Sequence, residues 1–103
     1  MDGRLLIVKD EVDSISFNRD GDVIFDLIFS AFKRNEKVIV SFEDIYAVNT
    51  SFVNSAFIEL LEFFSFEEIM KNLKFINSTK QINSTIIKRF KTEVAEKEKL
   101  QTT

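Results

Sequence analysis

The spacing of hydrophobic residues changes its period near the middle of the chain. Residues 38–40 read V-I-V, a short β-branched run of the kind found in buried strands. From Phe52 the apolar residues recur at helical spacing, and the preceding N-T-S at residues 49–51 supplies helix N-cap chemistry. The pattern therefore predicts a strand, a loop and then a helix. The helix begins beyond the carboxyl end of the strand, where open α/β sheets tend to meet ligands and partners.

The rest of the chain alternates between strand-like and helical patterns in the same way. Further strands are predicted at residues 4–8, 12–17 and 73–76, with a turn at the acidic residues 10–13. Helices are predicted at residues 22–34, 50–64 and 80–94, with a short extra helical turn at 65–71. This order implies a single α/β domain with about four strands in a mostly parallel (mixed) sheet and three to four helices.

Domain limits and burial follow from this arrangement. Residues 1–95 are expected to form the domain, and the charged end at 96–103 a flexible C-terminal tail. Ile39 is expected to be fully buried, because strands flank it on both sides. Since three helices are too few to cover both faces of a four-stranded sheet, one face is expected to be half open.

The first predicted helix carries more apolar residues than one sheet face requires. They cover about two-thirds of its circumference on a wheel of about 100° per residue. Two interpretations remain open. Either the helix is thickly covered within a small core, or Phe25 and Phe29 form a second contact surface against another element or another molecule.

The second predicted helix has a clearer division of faces. Its core stripe comprises Phe52, Ala56, Phe57, Leu60, Phe63 and Phe64. Its opposite side comprises Ser51, Ser55, Glu59 and Glu62, so Ser51 is expected to point outward in the first turn.

Composition excludes several classes of function. The 103 residues contain no Cys, His or Trp, so zinc fingers, iron–sulfur clusters, thiol nucleophiles and His-based triads are ruled out. With two Gly and no glycine-rich motif, the chain also lacks a phosphate-cradling loop. The net charge of −3 argues against nucleic acid as a partner. The longest apolar run has four residues, so we expect no membrane partner and a cytoplasmic location.

Three local features are candidates for chemistry. Residues 49–51 are either a plain N-cap or a hydroxyl presented for phosphorylation, which a helix N-terminus tolerates. The pair Glu43-Asp44, with Asp20 and Asp22 nearby, is either a solvated loop or a carboxylate Mg²⁺ site. The basic residues 88–91 diverge on a helix, which favours a charged outer face.

Three short motifs stand at the predicted elements: Arg19-Asp20-Gly21 before the first helix, V-I-V-S-F at residues 38–42 and T-S-F at residues 50–52. They resemble the motifs of the STAS-like domains of unknown function, which have R-D-x leading a helix, then V-x-[LV]-D-F and T-S-F. The central stretch is also similar to the anti-sigma-factor antagonists of the STAS family, whose D-S-[ST]-G motif starts a helix. Asn49 and Phe52 stand at the Asp and Gly of that motif, and Ser41 stands at the Asp of the V-x-[LV]-D-F pattern.

The resemblance implies a regulatory function. In the antagonists a serine of the motif is phosphorylated by a partner kinase of the histidine-kinase-like ATPase fold, and alignment places Ser51 there, with Thr50 second. We therefore expect a non-enzymatic, cofactor-free, protein-binding module with an ATPase or kinase partner of the anti-sigma type. The expected partner-binding residues are Glu43, Asp44, Asn49, Asn54, Ser55 and Ile58. The alternative is a homodimeric structural or inhibitor protein, encoded by a mobile element, that uses Phe25 and Phe29 as its interface.

Overall fold

The computed structural model describes residues 3–13 and 18–101. Three strands lie in these ranges: β1 (Gly3–Ile7), β2 (Lys37–Ser41) and β3 (Leu73–Ile76). The helices are α1 (Val8–Glu11), α2 (Asn18–Lys33), α3 (Thr50–Ala56), α4 (Phe66–Asn72) and α5 (Lys80–Gln101), with a 3₁₀ helix at Ile58–Glu62. The predicted α/β class is confirmed.

The sheet is parallel and has the order β1-β2-β3. Leu6 of β1 pairs with Val40 of β2, and Val40 pairs in turn with Phe75 of β3. The V-I-V run therefore forms the central strand, as its β-branched composition predicted. Each connection between the parallel strands carries helices, as parallel pairing requires.

The two faces of the sheet differ in how far they are covered. Leu6, Val38, Val40 and Leu73 point into the hydrophobic core, whereas alternate residues along the strands point to the opposite face. On that opposite face Leu5 keeps 57% of its surface exposed, and Ile39 is only half-buried. The half-open face is present as expected. The prediction that Ile39 is fully buried is wrong. Flanking strands shield its backbone, but its side chain lies on the less covered face of the sheet.

The predicted weak strand at 12–17 is not shown. Val12 and Asp13 are outside any strand, and residues 14–17 lie outside the described residues. The turn was predicted to begin at residue 10, and that start is wrong. Helix α1 follows β1 directly and continues to Glu11. Val8 opens that short helix and is fully buried, which anchors it to the core.

The second predicted helix is shorter than its apolar spacing indicates. The α-helix ends at Ala56, and the chain continues as the 3₁₀ helix through a bent Phe57 with φ −123° and ψ −44°. Three side chains of this segment do not face as predicted. Ser55 and Ile58 are buried, whereas Phe63, which was assigned to the core stripe, is 61% exposed. The predicted assignment of inward and outward faces is therefore wrong for these three residues.

The last two helices begin as predicted. Ser65 and Glu68 form a capping box, in which each side chain accepts a hydrogen bond from the other residue's backbone N–H. Helix α5 begins at Lys80 and presents Ile82, Ile86 and Phe90 to the core. It continues to Gln101, past its predicted end at Val94, so most of the segment expected to be a tail is helical.

Candidate functional site

The loop between β2 and α3, residues 42–49, lies at the carboxyl edge of the sheet and leads into the candidate site. A tight turn opens it, in which the Ile45 N–H donates to the Phe42 carbonyl over 2.9 Å. Asp44 sits in this turn with φ 62°, in the left-handed region that Asp tolerates better than most residues. The chain therefore reverses direction immediately after the central strand.

Helix α5 holds the second half of this loop in place. The side-chain amide of Gln81 accepts from the Val48 N–H and donates to the Val48 carbonyl, both over 3.0 Å. This amide therefore pairs with the Val48 backbone much as a neighbouring strand would. Thr79 adds a second attachment by donating to the Tyr46 carbonyl over 2.9 Å. The loop is thus fixed at two points to the start of α5.

The first turn of α3 carries the two candidate hydroxyl groups. Asn49 is its N-cap and accepts from the Phe52 N–H over 2.8 Å, which confirms the predicted cap. Thr50 is exposed and Ser51 is half-buried. The Ser51 hydroxyl donates to the side-chain carbonyl of Asn18, the first residue of α2. The N-terminal ends of α2 and α3 therefore meet at Ser51.

The acidic pair of the loop is engaged by a lysine from α1. The Lys9 ammonium lies 2.5 Å from Asp44 Oδ2 and 2.8 Å from Glu43 Oε2. Hydrogen bonds to Asp44 and then to Glu43 raise the pKa of Lys9 above its usual range. Within the described ranges, no group of three acidic side chains is placed to hold a metal ion.

Tyr46 is a prominent feature of the loop that the sequence analysis missed. It is the only tyrosine of the chain, and 73% of its surface is exposed. Its backbone is held by Thr79, which lies 33 positions away. The sequence does show a lone aromatic residue between two turn-forming segments, which could have singled out Tyr46. The hydrogen bond that fixes its backbone comes from a distant residue and is not visible in the local sequence.

The structure brings some of the predicted partner-binding residues together and separates others. Glu43, Asp44 and Asn49 are exposed on the loop. Asn54 is half-buried and accepts from Arg89 Nε of α5 over 2.7 Å. Ser55 and Ile58, as described above, are buried and are not part of the exposed surface.

The predicted apolar interface on the first helix is in part an intramolecular contact. Phe25 and Phe29 stack on each other with ring centroids 5.7 Å apart. The ring of Phe63 lies 6.0 Å from Phe25 and 5.1 Å from Phe29. Both interpretations of the first helix therefore keep some support, because the two rings meet another element while Phe63 remains exposed beside them.

This arrangement is that of a small α/β domain with a fixed loop and a helix N-terminus at the carboxyl edge of its central strand. The chain matches the family described as a STAS-like domain of unknown function over residues 20–83, and it belongs to that family. Comparison with curated proteins and comparison with solved structures each gave no match. Among the described residues, no helix has the length and apolarity needed to cross a membrane.

Proposed function

We propose that this domain is a non-enzymatic regulatory module that binds a protein partner through residues 43–51. Phosphorylation of Ser51, with Thr50 as the second candidate, controls that binding. The partner is an ATPase or kinase of the anti-sigma type. The observation that carries the proposal is the fixed loop, which presents an exposed tyrosine next to the two hydroxyl residues in the first turn of α3.

The fixed loop supports a role in binding because it lowers the entropy lost on association. Gln81 and Thr79 already hold its backbone in the free domain. Tyr46 adds an exposed aromatic side chain, the residue type that most often contributes binding energy at protein interfaces. The exposed Glu43 and Asp44 complete a polar rim.

The helix ends support phosphorylation as the control. A phosphate on Ser51 lies in the first turn of α3 and next to the start of α2, where backbone N–H groups favour negative charge. The domain therefore tolerates the modification. A partner seated on the same surface does not, because the new charge is buried in the interface without a counter-charge.

Affinity capture from the source cells tests the proposal. The wild-type domain and the variants Tyr46→Ala, Ser51→Asp and Ser51→Ala serve as baits, and Lys88→Ala at an exposed position of α5 is the surface control. We expect one protein to bind the wild type, Ser51→Ala and the control, and to be lost from Tyr46→Ala and Ser51→Asp. Equal recovery of every captured protein on all five baits contradicts the proposal.

Phosphate mapping tests the control separately. The domain is incubated with ATP and the captured partner, and the modified residue is located by mass spectrometry. The proposal predicts phosphate on Ser51 or Thr50 and none on the exposed Ser84, which serves as an internal control. Modification at Ser84 alone, or none at all, contradicts phosphorylation control while leaving the binding role standing.

A second candidate function is a homodimeric structural or inhibitor protein that uses the apolar side of α2. The observation in its favour is Phe63, which stays 61% exposed although its ring contacts Phe25 and Phe29. Light scattering on the wild type and on Phe63→Lys tests this candidate. A dimer that Phe63→Lys dissociates supports it, and a dimer that Phe63→Lys leaves intact contradicts it.

A further inference from the structure

An apolar cavity of about 180 Å³ lies between α4, β3 and α5. We call it the α4–α5 cavity, and its lining includes Phe66 and Met70 of α4, Phe75 of β3, and Ile86 and Phe90 of α5. Ile86 and Phe90 are buried members of the core, whereas Phe66 and Met70 are 37% and 40% exposed. The cavity therefore runs from the hydrophobic core to the surface, and it shares no lining residue with the candidate site.

One ridge of α5 gives this cavity an apolar middle and a polar group at each end. Asn83, Ile87 and Lys91 follow one another at intervals of four residues, so they lie along one side of the helix. Asn83 and Lys91 are about 12 Å apart along the helix axis. Ile87 stands between them and is 53% exposed.

Lys91 is the only charged residue among the described residues that line the cavity. It is exposed, and no hydrogen bond or ion pair joins it to another described residue. Asn83 accepts from the Ser78 hydroxyl over 2.8 Å, which leaves its NH₂ group as a donor. The cavity thus offers apolar surface with one free cation, the combination expected of a site for an apolar molecule that carries a negative charge.

We infer that the α4–α5 cavity binds a small amphipathic carboxylic acid. The apolar part of the ligand fills the cavity, and its carboxylate pairs with Lys91. The volume sets the size of the ligand. An apolar protein cavity of about 150 Å³ holds one benzene molecule, whereas sites for drug-sized ligands have about 300–1,000 Å³. A single aromatic ring or a short alkyl chain is therefore the right size.

The same volume argues against a helix of a partner protein as the occupant. One turn of an α-helix with its side chains is about 10 Å wide and 5.4 Å long, or about 400 Å³. The charge of Lys91 in turn disfavours an amine. Because Lys91 is exposed, its ion pair contributes little to affinity and serves mainly to select the acid. We therefore expect a dissociation constant of about 0.1–1 mM for a ligand of about ten non-hydrogen atoms.

Nuclear magnetic resonance titration of the full chain with phenylacetate tests the site. Its neutral analogue phenylacetamide has nearly the same shape and serves as the ligand control. Phenylacetate is expected to shift the amide signals of Ile87 and Phe90 saturably, to leave residues 43–51 unchanged, and to bind at least twofold more tightly than phenylacetamide.

Two lysines of α5 provide a matched pair of variants. Lys91→Ala is expected to weaken phenylacetate binding about two- to fivefold and to leave phenylacetamide binding unchanged. Lys88→Ala removes the same charge from an exposed position of the same helix that does not line the cavity, and it is expected to change neither. Ile87→Glu is expected to weaken phenylacetate binding at least tenfold, because it replaces apolar lining with a negative charge. Ile87 is exposed, so this variant is expected to fold.

Three results would overturn the inference. The first is the absence of saturable shifts at the cavity up to about 10 mM phenylacetate. The second is binding of phenylacetate that Ile87→Glu leaves intact, which would place the ligand elsewhere. The third is equal binding of phenylacetate and phenylacetamide, or equal effects of Lys91→Ala and Lys88→Ala, because either would show that Lys91 does not select an acid.

Discussion

A Cβ atom placed on Gly21 of α2 lies 2.6 Å from the Cβ of Ser55 on α3 and 2.8 Å from the Phe52 carbonyl oxygen. No larger residue fits there without movement of the helix backbone, so Gly21 sets how closely α2 and α3 approach. The Ser51 hydroxyl of α3 donates a hydrogen bond to the Asn18 side chain of α2. The distance between the two helices therefore also sets the geometry of the candidate site.

The first prediction concerns this close approach. Gly21→Ala is expected to destabilise the domain by about 1–3 kcal/mol, because the new methyl group meets backbone atoms that cannot turn aside. This loss runs against the usual gain of about 0.5–1 kcal/mol when Ala replaces Gly in a helix. Urea unfolding measures it. The control is Ser30→Ala on the exposed side of α2, with an expected change of less than about 0.5 kcal/mol. A stabilised Gly21→Ala protein contradicts the packing described.

The second prediction compares the two faces of the central strand. Val40 is fully buried and Ile39 is half-buried. Val40→Ala is therefore expected to cost about 2 kcal/mol and Ile39→Ala about 1 kcal/mol, although the second change removes more carbon atoms. Urea unfolding of the two variants and the wild type measures both losses. An Ile39→Ala loss larger than the Val40→Ala loss would contradict the partial exposure of Ile39.

The third prediction concerns helix caps at two places. Asn49→Ala and Ser65→Ala each remove a side-chain acceptor from a helix N-terminus. Each is expected to cost about 1 kcal/mol in thermal or urea unfolding. Asn49→Asp keeps an acceptor and is expected to restore most of the loss at its position. If Asn49→Asp is as unstable as Asn49→Ala, the side chain of Asn49 is not acting as a cap.

These cap residues also show which parts of the fold the sequence could predict. A cap depends on residues three positions apart, so Asn49, Ser65 and Glu68 could be assigned from local order. The central strand was equally predictable, because a run of β-branched residues between turn-forming residues favours a strand over a helix. The motifs of the family likewise lie in short segments, and they placed Ser51 in the first turn of α3 correctly.

The errors arose where distant residues decide the outcome. The α-helix changes to a 3₁₀ helix at Phe57, whose ring packs against Phe42 and Phe75, and the apolar period of the sequence does not record such long-range contacts. Burial of Ser55 follows from the absent side chain of Gly21, 34 positions earlier in the sequence. Tyr46 was missed because its loop owes its shape to Gln81 and Thr79 of a later segment.

The fourth prediction concerns the fold of the phosphate mimic. Ser51→Asp is expected to change stability by less than about 1 kcal/mol, because its carboxylate lies in the first turn of α3 and interacts favourably with the helix dipole. The Asn18 amide can turn to present its NH₂ group in place of its carbonyl oxygen. Circular dichroism and urea unfolding check this. An unfolded Ser51→Asp protein means that the side chain is too enclosed to carry a phosphate.

Titration of the captured partner with the Ser51 variants tests whether charge at Ser51 controls partner binding. Calorimetry compares the wild type, Ser51→Ala and Ser51→Asp at one salt concentration. Ser51→Ala is expected to bind like the wild type, and Ser51→Asp at least tenfold more weakly, a difference of about 1.4 kcal/mol or more. Equal dissociation constants for the two variants would contradict the claim that charge at Ser51 controls the binding surface.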